Sequence, residues 1–573
     1  MGIKSLGIGL SGLRTNLASI ETTGHNISNA NTEGYTRQRV DLSTRTPVDK
    51  GAFIVGQGVQ IQTIARISDQ FLEDRIRKES GTLAGLKEVS SIMNEVEFNL
   101  NELSDQDLSN KFDAFFSAMH DYSNKVDDNS TRIALMEQAV SLASEFNRFD
   151  LSIAEIQKKI DGKISGDIST ANLLLSKIAT ANQEIVQTER GGFSSSVAND
   201  LRDKRDTYLK ELSQIIDIDV REESNGAVYV STAGQRLVSQ SEYFALEVNR
   251  LEIKGQPISI VQFATGTAFE IRGGRLEALV VSRDTKLSGI RDEFHNLAGQ
   301  FIFEMNKIHS TGRGLEGLSS VESEFSVFDP NVALDVAKFN MSNNEGIFKA
   351  QNGTFEIISE NISDGSNKVY SINIDLNGVG AETTLNDVIR QINIVPNIKA
   401  ELNAQNKLQI TSTNSNMQFY FANDTSNFLA AIGINGFFSG VDATTIAVNS
   451  KLRTQPQLIS GALSAEAGDN SNAVRMAELR NQLIFSGNKL SIDEHYQGLV
   501  SSIAIETNRA RELVVTHELI FTNLTNLKEE ISGISIDEEA ANLLKYQRSY
   551  QASARFVTVI NDLLDTLINR LGI

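Results

Sequence analysis

The sequence predicts an α+β multidomain chain, with terminal coiled-coil helices, a long-helix bundle with a small β part, and an inserted β-rich domain. Three observations carry this. From Ser535 to Ile573, Leu543, Tyr550, Val557, Leu564 and Leu571 recur every seven residues. Tyr546, Ile560 and Leu567 form a second row, with Ser553 as its polar member. Alternating steps of three and four place both rows on one helix seam. At the other end, Ile3, Leu10 and Leu17 form one heptad row and Leu6, Leu13, Ile20 and Ile27 another. Between residues 336 and 448 the pattern changes to short alternating strands. A long helix with a narrow apolar seam must bury it against another helix. The two seams therefore predict that the termini meet, either within one chain or inside a polymer.

The N-terminal helix stops in Asn26-Ile-Ser-Asn-Ala-Asn-Thr-Glu-Gly-Tyr35, a cluster of turn formers, and extended chain starts at Arg37, Arg39 and Val40. From Ile67 to about Ile218 helical periods dominate. Leu83, Leu86, Met93, Val96 and Leu100 mark one helix, and Phe112, Phe115, Phe116 and Met119 another. Ile164, Ala171, Ile178 and Ile185 mark a third. The charge run Asn199–Asp206 reads as a solvated helix face with Asp200/Lys204 and Arg202/Asp206 spaced for ion pairs. Ala227–Val230 and Ile258–Val261 alternate as strands, and a helix runs from Gly273-Gly-Arg-Leu276 through His309. Strands at Gly353–Ile358, Tyr370–Ile374 and Lys407–Thr411, with one helix near Thr384–Ile392, mark the insert. A last amphipathic stretch spans Gln497 to about Ile531. Ser535 with Glu538 reads as a capping box that starts the C-terminal helix, where Asp537, Glu538 and Glu539 complement the dipole. The expected domains are 1–45 with 532–573 (coiled-coil assembly), 46–335 with 449–531 (mainly helical, with a small β section), and 336–448 (β-rich insert).

Composition narrows the function. Lys+Arg 53 against Asp+Glu 73 gives a net charge of −20, which repels nucleic acid and anionic lipid. With no Cys, the chain has no disulfide, thiolate metal site or cysteine nucleophile. No apolar run is long enough for membrane insertion. The N-terminus has the spacing of an amphipathic helix rather than the apolar core of a cleaved secretory signal.

Candidate chemistry is sparse. Gly7-Ile-Gly-Leu-Ser-Gly12 matches the dinucleotide fingerprint in letters. Only six residues precede it, too few for the delivering strand, and the heptad seam runs through it, so it reads as close helix packing. None of the six histidines has metal-ligand spacing, and no carboxylate sits with a nucleophile. No catalytic, cofactor or metal residue is expected.

Ile27-Ser-Asn-Ala-Asn31 with Gly34-Tyr35 resembles the N-terminal signature of the flagellar axial proteins, the rod, hook and hook-associated family. The continuation Tyr35–Arg39 is most similar to the hook-associated branch that joins hook to filament. Asp537–Gln547, Tyr550-Gln-Ala552 and Leu564-Asp-Thr-Leu567 resemble the family's C-terminal helix. Weaker similarities continue through Asn199–Val220, Ser310–Gly317 and Phe428–Phe438. The resemblance implies a structural, non-enzymatic subunit of the bacterial flagellum that is extracellular and leaves the cell through the flagellar export apparatus. It also implies partners: further copies in a ring or tubular polymer, hook subunits, the adjacent filament-side hook-associated protein, and a cytoplasmic export chaperone at the C-terminal helix. The expected assembly seam is Leu6, Leu10, Leu13, Leu17, Ile20 and Ile27 with Leu543, Tyr550, Val557, Ile560, Leu564 and Leu567. Asn29, Asn31, Gly34 and Tyr35 are the expected turn that sets how the first helix meets the next domain. A hook or distal rod subunit shares both terminal signatures and is the alternative, although the helical tract from Ile67 to Ile218 is foreign to strand-rich hook subunits. An adhesin or hydrolase acting through the insert has no residue constellation behind it.

Overall fold

The structure, a computed structural model, describes residues 2–49, 54–100, 107–190, 195–253, 256–341 and 346–566. Its longer helices are α1 (Gly2–Ser28), α2 (Gln70–Leu100), α3 (Leu108–Asn124), α4 (Asn129–Arg190), α5 (Ser195–Ile215), α6 (Ser288–Ser310), α7 (Ile492–Ser532) and α8 (Ile536–Asp565). The chain divides into two compact units, residues 1–91, 159–282 and 509–573 in one and 92–158 and 283–508 in the other. The terminal helices thus share a unit with strands from mid-chain, a grouping that differs from the three-part division expected above.

In the first unit, α1 leads into an antiparallel hairpin of β1 (Gln38–Thr44) and β2 (Val59–Arg66), with a bulge between Asp41 and Leu42. The heptad row Ile164, Ala171, Ile178 and Ile185 is buried along α4, as are Leu209, Leu212 and Ile215 of α5. A meander of β3 (Asp219–Glu222), β4 (Val228–Thr232) and β5 (Gln235–Ser239) follows, and then a hairpin of β6 (Leu246–Ile253) and β7 (Gln256–Phe263). Leu72 and Ile76 of α2 pack on Leu524 and Phe521 of α7. Beside them Glu73 pairs with Lys528 at 2.8 Å and Glu79 with His517 at 2.6 Å.

The charge run on α5 departs from its sequence reading. Asp203 and Arg205 are buried, and the expected pairs within the helix give way to bonds with other elements. Arg202 reaches Glu189 at 2.6 Å and Glu222 at 3.2 Å, Asp206 binds Arg66 at 2.7 Å, and Asp200 accepts from Gln38 at 2.9 Å. Charges that serve neighbouring elements gain more than an exposed i,i+4 pair, which contributes only a few tenths of a kcal/mol.

The second unit is centred on aromatic rings. Phe112, Phe115 and Phe116 of α3 meet Phe301 of α6 edge-on, with centroids 5.4, 5.9 and 6.4 Å away. Phe115 also meets Phe437 at 6.1 Å and Phe438 at 5.9 Å. The stretch read as one helix through His309 is instead a helix at Gly274–Val281, a π-helical Ser282–Leu287, and α6. His309 is fully buried. It donates from Nδ1 to the carbonyl of Asn435 (2.8 Å) and accepts the Ser460 N–H at Nε2 (3.1 Å). Burial lowers its pKa to about 4, so the ring is neutral. The insert's strands form two three-stranded sheets, one of which takes in β8 (Ser320–Ser326) from before residue 336; the others are β9 (Gly353–Asn361), β10 (Asn367–Ile374), β11 (Ile398–Leu402), β12 (Lys407–Ser412) and β13 (Met417–Ala422). Their orders are β8-β12-β11 and β10-β9-β13. The intervening helix Leu385–Ile392 begins with a complete capping box between Thr384 and Asp387.

One device recurs at several places where a helix meets the margin of a strand. A side-chain amide bonds both the N–H and the C=O of one strand residue, as an adjoining strand would. Asn172 does this to Leu246, at 2.7 and 2.8 Å, and Asn182 to Val228, at 2.9 and 3.0 Å. Asn306 does it to Phe438, at 2.8 and 3.0 Å. In the insert, Gln391 clamps Asn373 on edge strand β10 and Asn393 clamps Ala400 on edge strand β11. Backbone groups that would otherwise be left without partners are thereby satisfied.

Candidate assembly interface

The terminal helices pair within the chain. Contacts of Gly9 with Val557, Gly12 with Ser553 and Asn26 with Glu539 show that α1 and α8 run antiparallel. Small residues let them approach closely. A Cβ at Gly9 would stand 2.6 Å from Val557 Cγ2, and one at Gly12 2.9 Å from Ser553 Oγ, whereas Gly7 faces open space. Two glycines of the fingerprint-like motif therefore serve helix packing.

A second face of α1 was not legible as apolar periodicity, because its buried residues are polar: Ser11, Thr15, Ser19, Thr22 and Asn26. The hydroxyls of Thr15, Ser19 and Thr22 donate to carbonyls one turn back, at 3.1, 2.9 and 2.9 Å, and so need no outside partner. This low face seats the β1–β2 hairpin. Gly58, at φ +90°, leaves no room for a side chain beside Ser11, and the Val59 N–H donates to Ser11 Oγ at 3.3 Å.

The expected seam residues divide. Leu6, Leu13, Ile20 and Ile27 of α1 are half-buried, as are Leu543, Val557, Ile560 and Leu564 of α8. Leu10 and Leu17 face outward, 43% and 45% exposed, and Tyr550 lies at the seam's edge. The hairpin and α8 occupy two other sides of α1, which turns the Leu10–Leu17 row to solvent. Leu567 and Leu571, with the side chain of Ile3, lie outside the described residues. On α8 Val559 (55%) and Leu563 (59%) also face solvent, as does Leu544 (59%) nearer the helix start, while Phe556 (42%) is part exposed with its ring edge against Gly9.

The turn after α1 ties the pair to α5. Gly34 holds φ +80°, where a side chain would meet Thr207. Tyr35 donates its hydroxyl to Asn26 Oδ1 at 2.8 Å and lies 3.0 Å from His25 Nδ1. Burial, reinforced by Asp200, Asp203 and Glu539, keeps that phenol protonated well above its ordinary range. Asn29 donates to the carbonyl of His25 at 3.0 Å, and Asn31 is exposed. The Thr36 N–H donates to Asp203 at 3.0 Å, and Arg66 reaches Asp203 at 2.9 Å. Burial works against the charge of Arg66, but Asp206 and Asp203 outweigh it and hold the guanidinium protonated.

Sequence reasoning missed the residues that close this joint. Glu539 is 3% exposed. It accepts from Asn26 Nδ2 at 3.1 Å and from Arg37 at 2.8 Å. Its signal was its place: it stands one heptad before Tyr546, a carboxylate at a seam position. The capping box read at Ser535 is half formed. Ser535 caps the Glu538 N–H, but the Glu538 carboxylate lies 3.2 Å from Arg37 instead. Among the described residues no cluster of metal-binding side chains occurs and no helix is long and apolar enough to cross a membrane.

Comparison with known proteins agrees with this architecture. The family model described as Flagellar hook-associated protein FlgK helical domain matches residues 93–323. Models of the flagella basal body rod protein and of the flagellar basal body rod FlgEFG protein C-terminal match residues 6–36 and 528–571. Flagellar hook-associated protein 1 of Bacillus subtilis is 25% identical over 564 residues, covering 97% of this chain and 96% of that one. Its counterpart in Escherichia coli is 25% identical, with 98% of both chains covered. The solved flagellar hook junction protein FlgK from Burkholderia pseudomallei shares the fold, with a TM-score of 0.50 and 14% identity over 80% of this chain and 100% of that one. Over nearly its full length the chain is thus similar to flagellar hook-associated protein 1, and it is a structural component of the bacterial flagellum.

Proposed function

We propose that the chain is a junction subunit between flagellar hook and filament, polymerising through its paired terminal helices and catalysing nothing. The observation that carries this is the outer surface of the pair. Leu10 and Leu17 on α1, with Phe556, Val559 and Leu563 on α8, remain exposed after the two helices have satisfied each other. An apolar surface at helical spacing, left over by the fold, suits neighbours of the same kind in a tube. Copies of the chain, hook subunits on one side and the filament-side hook-associated protein on the other are the proposed contacts. Before export the same rows need cover, and a small helical chaperone gripping α8 along its length fits them.

Cells producing Phe556→Asp/Leu563→Asp in place of the native chain test the reading. They are expected to build hooks, fail to retain filaments and shed filament subunits into the medium. Wild-type swimming would reject the proposal.

A further inference from the structure

We propose that Glu539 is the register key of the terminal helix pair, one buried carboxylate that selects a single alignment of α8 along α1. The inference rests on the assembly reading above and adds the residue that sets its geometry.

The apolar repeat of the seam does not by itself fix one register. Tyr546, Ser553 and Ile560 repeat every seven residues, as do Leu6, Leu13, Ile20 and Ile27 opposite them. A slip of one heptad, about 10 Å along the axis, lays each row back on itself. The close approach of Gly12 to Ser553, with Asn16 3.5 Å from the Ser553 hydroxyl, favours the observed alignment by fit, but it places no charge at stake.

Glu539 occupies the same heptad row, seven residues before Tyr546. Among the described residues it is the buried one of α8. Both of its partners are fixed at the far end of α1. Asn26 is held by both backbone groups of Gln38, and Arg37 lies in the turn, with its N–H directed at the Ser532 carbonyl at 3.4 Å. Any slip would carry the carboxylate away from Asn26 and Arg37 and leave charges without their partners in a desolvated joint. Buried ion pairs are weak sources of net stability, and fixing register is their best-attested use; a polar residue at a coiled-coil core position does the same. The register in turn decides where Phe556, Val559 and Leu563 stand relative to Leu10 and Leu17, and so whether one neighbour can meet both rows.

The test uses the free full-length subunit, so its outcome does not depend on where the polymer forms. The chain lacks cysteine, and nitroxides at Arg14→Cys and Gln551→Cys, both at exposed positions, report the alignment by double electron–electron resonance. The parent is expected to give one distance. Glu539→Leu and, independently, Arg37→Gln are expected to add a second population from a slip of about 10 Å, with helix content by circular dichroism unchanged. Glu538→Gln, which alters the exposed neighbour that also touches Arg37, should keep the single distance. Retention of the single distance by both Glu539→Leu and Arg37→Gln would overturn the proposal. So would a featureless spread in either variant, since the carboxylate would then hold the helices together rather than choose their register.

Discussion

The carboxamide of Asn26 holds both backbone groups of Gln38, donating to its carbonyl at 2.9 Å and accepting its N–H at 3.0 Å. The same amide donates to Glu539 and accepts from Tyr35. The first helix, the turn, the hairpin and the last helix therefore meet on one side chain.

Asn26→Asp keeps the acceptor half of this joint and removes the donor half. It leaves the Gln38 carbonyl and Glu539 without that partner and sets a second carboxylate beside the first. A cost on the order of 3 kcal/mol is expected. Hydrogen exchange should show it as a loss of protection on the order of 100-fold in β1 and the end of α1. Unchanged protection would contradict the role given to Asn26.

The glycines of α1 are predicted to separate by position. Gly7→Ala adds a methyl in open space and should stabilise the helix by about 0.5–1 kcal/mol. Gly9→Ala places its methyl against Val557 and should cost about 1–3 kcal/mol. Protease resistance of the terminal pair, compared between the two variants, reads the difference.

The second unit should weaken in acid because of His309. Its pKa is about 4 in the folded chain and about 6.5 when unfolded. Between those values the unfolded chain binds a proton that the folded chain refuses. This contribution is present above pH 6.5 and lost as pH falls toward 4, by up to about 3 kcal/mol. Urea unfolding at pH 7 and pH 4.5 should show a smaller pH dependence in His309→Gln than in the parent. An equal dependence would place the acid sensitivity elsewhere.

Much of this architecture was legible because apolar periodicity reports burial against apolar neighbours. The heptad row of α4 and the strands of the insert follow it directly. The hairpin-facing side of α1 was hidden because Ser11, Thr15, Ser19 and Thr22 satisfy their hydroxyls on their own helix and can be buried without an apolar signal. Asp203, Arg205 and Glu539 were hidden for the opposite reason. Charge predicts solvent until the partners that neutralise it are known, and Arg66, Glu222 and Arg37 lie far away in sequence. The clamping amides leave no local trace, since what marks each one is a strand residue brought to it by the fold.

The central claim is that this chain occupies one zone between hook and filament, and immunogold labelling of sheared, intact flagella tests it most directly. Label is expected in a single band at the filament base, lost together with the filaments when the Phe556→Asp/Leu563→Asp chain replaces the native one. Label distributed along the hook or the filament, or absent from the flagellum, would contradict it.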